Sequence, residues 1–177
     1  MRLLTASALF LLTAGTACAG GPPAVVSART VLATNAAHAG RTDKLAVVAQ
    51  IQPGYHINDH TPSLNYLIPT KVTFDDSPSV KVEKVVYPRG TPKKFVFLDT
   101  PISVYEGELL LGAKLMVNHS AKPGTYPLHG KLTYQACNDH ACLAPASVPL
   151  SVSIRVVASS VPLKAANAGI FRKISFK

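Results

Sequence analysis

Apolar and polar positions alternate along much of this chain. Leu45, Val47, Ala49 and Ile51 take every second place against Lys44, Ala46, Val48 and Gln50. Leu109, Leu111, Ala113, Leu115 and Val117 make a second row. Leu128, Leu132, Tyr134 and Ala136 make a third, with Lys131, Thr133 and Gln135 between them. Val148, Leu150, Val152, Ile154 and Val156 make a fourth, against Ser147, Ser151, Ser153 and Arg155. A period of two puts successive side chains on opposite faces of a strand, so each row predicts one buried and one wet face. Val72 with Phe74, and Val80 with Val82, predict two shorter strands. Asp75-Asp76-Ser77-Pro78 and Lys122-Pro123-Gly124 read as turns. Helical periodicity is nearly missing, and 14 prolines and 11 glycines punctuate the runs. The pattern predicts an all-β fold, with six or more strands in two packed antiparallel sheets.

The ends break this pattern. Met1-Arg2 is followed by an apolar, small-residue run from Leu3 to Thr16, and Ala17-Cys18-Ala19 fits a small-x-small cleavage site. Residues 1–19 therefore read as a signal peptide, too short to be a membrane span. A second reading makes Cys18 a lipidated N-terminus, which would tether the chain to a membrane. Either way the protein leaves the cytoplasm. Removing residues 1–19 leaves 158 of the 177 residues, enough for one domain. Residues 20–30 read as a Pro/Ala-rich leader, loose at its start. Residues 158–177 lose the alternation and read as a basic tail, either a short extra element or disordered.

Charge narrows the field of functions. The formal net charge is +9, but only Lys93-Lys94 and Arg172-Lys173 are adjacent. No stripe of basic and aromatic residues exists, which argues against nucleic acid. No Ser/His/Asp set or Gly-rich phosphate loop stands out. Asp75-Asp76 reads as a solvated turn, and Glu106 and Glu108 as one water-facing strand face. Asn118-His119-Ser120 matches a glycosylation pattern by chance, given a bacterial type of export signal.

The chemistry concentrates at Tyr134 to Pro145, YQACNDHACLAP. With Cys18 outside the folded domain, Cys137 and Cys142 are its two cysteines. Cys137 is expected to end one strand and Cys142 to lie near the start of the next, with Asn138 to Ala141 as the tip. Facing residues on an antiparallel pair are about 4.5–5.5 Å apart at Cα, within disulfide reach. A loop this short gives a bridge worth only about 2 kcal/mol. A lone bridge at an exposed tip is also open to attack by another thiolate. Three readings stay open: a redox pair, a structural clip, and a metal site of Cys137, Cys142 and His140. Zinc would want a fourth ligand; copper(I) could accept two thiolates with His140, His56 or His60. A protonated His140 would favour a thiolate, while Asp139 would oppose one.

Taken in order, four segments make a more specific signal. They are GYHIND at 54–59, VVYPRGTPKKF at 85–95, SVYEGELLLGAKLMV at 103–117, and YQACNDHACLAPASVPLSVSI at 134–154. Over roughly residues 25–157 this order resembles the N-terminal periplasmic domain of the thiol:disulfide interchange protein DsbD. The resemblance implies an immunoglobulin-like β-sandwich over residues 20–157, with a catalytic disulfide, Cys137–Cys142, on one hairpin. It implies exchange without a cofactor or metal, with Cys142 forming the mixed disulfide. Phe95 or Phe97 would be the aromatic of a cap loop shielding the pair, with Tyr55, His56 and Asn58 lining the site. Phe95, Phe97 and Leu143 would meet the partner. The domain would take electrons from a membrane electron-transfer protein through a thioredoxin-like domain and pass them to thioredoxin-like periplasmic proteins, such as disulfide isomerases and cytochrome c maturation thioredoxins.

The chain also departs from that family. Four residues separate its cysteines where the well-known enzymes have one more. Lys93-Lys94 replace acidic residues before the cap aromatic, and His56 and Asn58 stand at aromatic positions. The family's membrane region and C-terminal thioredoxin-like domain have no counterpart in these 177 residues, so the resemblance implies a separately encoded reductant.

Overall fold

The computed structural model describes residues 24–95 and 99–176. The expected signal peptide, Cys18 and Phe97 lie outside the described residues. Twelve strands and one helical turn follow in chain order. The first six are β1 (Val26–Leu32), β2 (Ala37–His38), β3 (Thr42–Ile51), β4 (His56–Asn58), β5 (Lys71–Phe74) and β6 (Val80–Val86). Then come β7 (Thr91–Lys93), β8 (Ile102–Tyr105), β9 (Glu108–Val117), β10 (Gly124–Tyr134), β11 (Ala136–Cys137) and β12 (Ala146–Val157). The turn is α1 (Ala168–Phe171).

One sheet has the order β1-β3-β9-β6 and the other β2-β12-β10-β5. Pairing is antiparallel except for a short parallel contact of β2 with β12. The predicted rows Leu45–Ile51, Leu109–Val117, Leu128–Leu132 and Leu150–Val156 all feed one hydrophobic cluster. Leu45, Leu111, Leu115, Leu128, Leu132 and Ile154 at its centre are fully buried. The molecule is an immunoglobulin-like β-sandwich, nearly all-β in its regular structure.

The structure corrects several expectations. The stretch read as a Pro/Ala-rich leader contains most of β1, whose seven residues pair with β3 and bury Val26; residues 20–23, its start, lie outside the described residues. Ala46 and Val48, expected on a wet face, are buried too. Part of the reason lies in the tail. Ala46 faces Gly112 across the ladder. A Cβ at Gly112 would stand 2.7 Å from Ile174 and from Phe176, so the missing side chain makes room for the tail to cross this face.

The tail is therefore an ordered part of the fold. Residue 166 donates its N–H to the Ala33 carbonyl, and Lys164 and Asn35 exchange hydrogen bonds. The Asn167 side chain donates to the Leu32 carbonyl. Lys44 sits 4.8 Å from the centre of the Phe176 ring. Glu106 and Glu108 do not share a strand: Gly107, at φ +61°, turns the chain between β8 and β9. Both remain exposed, Glu106 bonded to Lys93 and Glu108 to Gln50 and Lys173.

Candidate redox site

The site is built where the β10–β12 hairpin overshoots its own sheet. Their pairing runs out at Tyr134–Ala146. The sequence analysis expected Cys137 and Cys142 to sit on these two strands. Instead the chain beyond Tyr134 joins a third sheet, of order β11-β4-β8-β7. Cys137 lies on β11 opposite His56 of β4, and Cys142 forms an isolated bridge with Cys137. Asn138 N–H donates to the Ala141 carbonyl, and Leu143 N–H to that of Ala136. These bonds flank the cysteines and make them a pair with no hydrogen bonds of its own, the narrower of the two antiparallel spacings. Their Cα atoms are 3.9 Å apart, closer than the sequence reading assumed, and they are disulfide-bonded.

The tip is locally organised. Asn138 Oδ1 accepts from the backbone N–H of His140 and of Ala141, an Asx turn that closes a short loop without glycine. His140 is exposed on this turn. The two cysteines differ in access. Cys137 is 1% exposed, whereas Cys142 and Leu143 lie at the surface.

The predicted site residues divide by the pleat of β4. His56 shares a face with Cys137 across the ladder, and Phe95 stacks on its ring at 4.4 Å between centroids. Lys93 lies 5.4 Å from the Phe95 ring centre and is bonded to Glu106 at 2.6 Å. Tyr55, one place before, packs against the main core with Ile57 and is not brought to this face. Phe95 is 4% exposed. Its ring is packed against His56 and the small cluster, so in this structure it is not offered to a partner. Leu64 and Leu67 pack with Phe95, Ile102 and Val104 in a second small cluster.

Buried polar groups gather beside it. Asn58 is fully buried; its Nδ2 donates to the Ile68 carbonyl, and its Oδ1 has no partner among the described residues. Asp59 accepts from Ser103 Oγ and Tyr105 OH, both at 2.7 Å, and from Thr61 and Gly90 N–H. Burial alone would raise the Asp59 pKa, but these hydrogen bonds outweigh it and hold the carboxyl below its usual value. Burial and the Asp59 contact push the Tyr105 hydroxyl up. Burial, and next the Lys93 charge, lower the pKa of His56, against the opposing pull of Glu106 and Asp139.

The sequence reading missed Asp59, Ser103 and Tyr105, which come together from 44 and 46 residues apart. It also missed Leu64 and Leu67, whose three-residue spacing within SLNYL was the available signal. Among the described residues no three His, Cys, Asp or Glu side chains converge as a metal site.

A disulfide between one buried and one exposed cysteine, across the ladder from the His56 ring that Phe95 stacks on, sits where the family match falls. Residues 24–152 match the family described as "Thiol:disulfide interchange protein DsbD, N-terminal". The chain belongs to this DsbD N-terminal family. Membership and the bonded pair together point to thiol–disulfide oxidoreductase chemistry. The N-terminal periplasmic domain of ScsB from Proteus mirabilis is similar at 16% identity and TM-score 0.51, covering 75% of this chain and 48% of that one. The chain thus spans about half the length of that ScsB chain. The reduced Neisseria meningitidis DsbD N-terminal domain matches at 18% identity and TM-score 0.43, over 77% and 89% of the two chains. The ScsB likeness supports the fold of this DsbD-family domain and nothing finer. No curated protein sequence is matched.

Proposed function

We propose that this DsbD-family domain is exported to the periplasm and relays electrons through the Cys137–Cys142 pair. The supporting observation is the unequal burial of the two bonded cysteines, Cys137 at 1% exposure and Cys142 at the surface. A partner thiolate reaches Cys142, not Cys137. It attacks Cys142 Sγ, a partner–Cys142 bond forms, and the electron pair of the broken S–S bond leaves on Cys137. A second partner thiol resolves the mixed disulfide and frees the reduced pair. The reduced pair then passes its electrons to an oxidised periplasmic protein by the same steps. The reductant is a membrane electron-transfer protein acting through a thioredoxin-like domain, and the acceptors are thioredoxin-like periplasmic proteins. Phe95 keeps small thiols and oxidants away until a partner displaces the loop that carries it. Exposed Leu143, beside Cys142, is the first apolar contact.

The test is the reduction potential of the pair, read in graded thiol buffers by acid quench, alkylation and mass. A midpoint between about −180 and −270 mV is expected, the range of known exchange proteins. A midpoint below about −300 mV marks a structural bridge. The domain would then be an immunoglobulin-like binding module, and changing both cysteines to serine would leave partner binding intact.

A further inference from the structure

His56 is 2% exposed. Its ring stacks on Phe95, and no hydrogen bond to either ring nitrogen is found among the described residues. The residue directly across the ladder is Cys137, and facing side chains there have Cβ atoms about 4.5–5.5 Å apart. In the bonded form the Cys137 sulfur carries no proton to share. Opening the disulfide gives it one.

Building on the exchange reading above, we propose that His56 is the proton acceptor for Cys137 when the disulfide closes and the partner is expelled. In that step the Cys137 S–H proton passes to the lone pair of the neutral imidazole. Cys137 Sγ attacks Cys142 Sγ, the Cys142–partner bond breaks, and the partner leaves as a thiolate. The imidazolium then returns its proton to water or to that thiolate. The pair is oxidised and the partner, a protein disulfide, is reduced.

The surroundings make such a base useful. A thiol in an apolar, buried position ionises reluctantly, and Cys137 is as buried as any core residue. Phe95 holds the ring in place and keeps bulk water from its face. The charged groups acting on His56 are Lys93 on β7, Glu106 after β8 and Asp139 in the hairpin tip. Burial and Lys93 prevail, so the ring is neutral and its lone pair free near neutral pH. His140, exposed on the far side of the tip, has none of these features.

Stopped-flow reaction of the reduced protein with the chromogenic aryl disulfide dithiobis(nitrobenzoate) separates the two sulfurs. Surface Cys142 attacks first and releases one nitrothiobenzoate. Cys137 then closes the bridge and releases a second. Positioned general bases contribute about 10²–10⁴-fold. His56→Phe, which keeps the stack but has no lone pair, is expected to slow the second phase roughly 100-fold at neutral pH and leave the first unchanged. The wild-type second phase is expected to fall as acid protonates His56; in the variant it rises only as the thiol itself ionises. His56→Gln, smaller and polar, covers the case in which the phenyl ring disturbs folding, and Cys142→Ser must abolish the first phase. If both His56 variants keep the wild-type second phase, the role of His56 is overturned while exchange stands. If wild type releases a single nitrothiobenzoate, the pair does not cycle and both readings fall.

Discussion

The two hydrophobic clusters of this domain are built on different principles. The large one, centred on Leu45, Leu111, Leu115, Leu128 and Ile154, is aliphatic and sits between two well-paired sheets. The small one has Ile102 and Val104 on one four-residue strand and Phe95, Leu64 and Leu67 on connecting segments. His56, Asn58, Asp59 and Thr70, the buried polar residues among those described, all lie between residues 56 and 70 beside it. Buried polar groups cost free energy unless every one is paired. The sandwich carries the stability, and the corner carries groups that a core built for stability alone would exclude.

Breaking the frame should produce the largest effect. Leu111→Ala is expected to lower stability by about 2–5 kcal/mol, through lost burial and a cavity. Chemical denaturation would read this, and the reduction potential of the pair should stay at its wild-type value. A shifted potential would mean the two regions are not separable.

The next effects belong to the corner. Gly90→Ala places a Cβ 2.5 Å from Ser103 Oγ and 2.7 Å from Asp59 Oδ2. It is expected to cost about 1–3 kcal/mol, as overpacking does. Removing the bridge with Cys142→Ser is expected to cost about 2 kcal/mol or less, because the closed loop is short. It should abolish exchange altogether. A larger stability loss would promote the disulfide from redox device to structural clip.

Acid separates the regions more finely. The folded pKa of Asp59 is below its unfolded value. Its contribution is present above the unfolded pKa near 3.9 and is lost as pH falls through the lower, folded pKa. The folded pKa of His56 is also lowered. Its contribution is complete above about pH 6.5 and declines as pH falls towards the folded value. Melting temperature against pH should thus decline in two windows, the upper one removed by His56→Phe and the lower one by Asp59→Asn. The smallest effect is expected from His140→Ala, within about 0.5 kcal/mol, as for an exposed side chain. It should leave both phases of disulfide chemistry unchanged.

The same contrast explains what could be read from the chain alone. The long strands announced themselves because a period-two row of Leu and Val has one cheap way to be buried. The third sheet did not, since His56–Asn58, Thr91–Lys93 and Ala136–Cys137 are too short to show a period. YQACNDHACLAP was legible as chemistry because two cysteines at short range have few uses. Asp59, Ser103, Tyr105 and Gly90 were illegible because their contacts link distant parts of the chain. Tyr55 was assigned to the site by its neighbours in GYHIND, and the pleat sent it to the opposite face. The tail hid for a related reason. Phe171, Ile174 and Phe176 have no periodic apolar face, and what they pack against was set by a glycine far upstream.

That glycine also bears on the order of events during folding. Gly112 precedes Ile174 and Phe176 along the chain by some sixty residues, so the sheet that receives them can form, after export, while its outer groove is still bare. The sandwich can close first and the tail can latch afterwards. A stalled or clipped chain lacking only that latch would display an apolar furrow over Ala46, a mark by which quality-control proteases and chaperones can tell unfinished copies from finished ones.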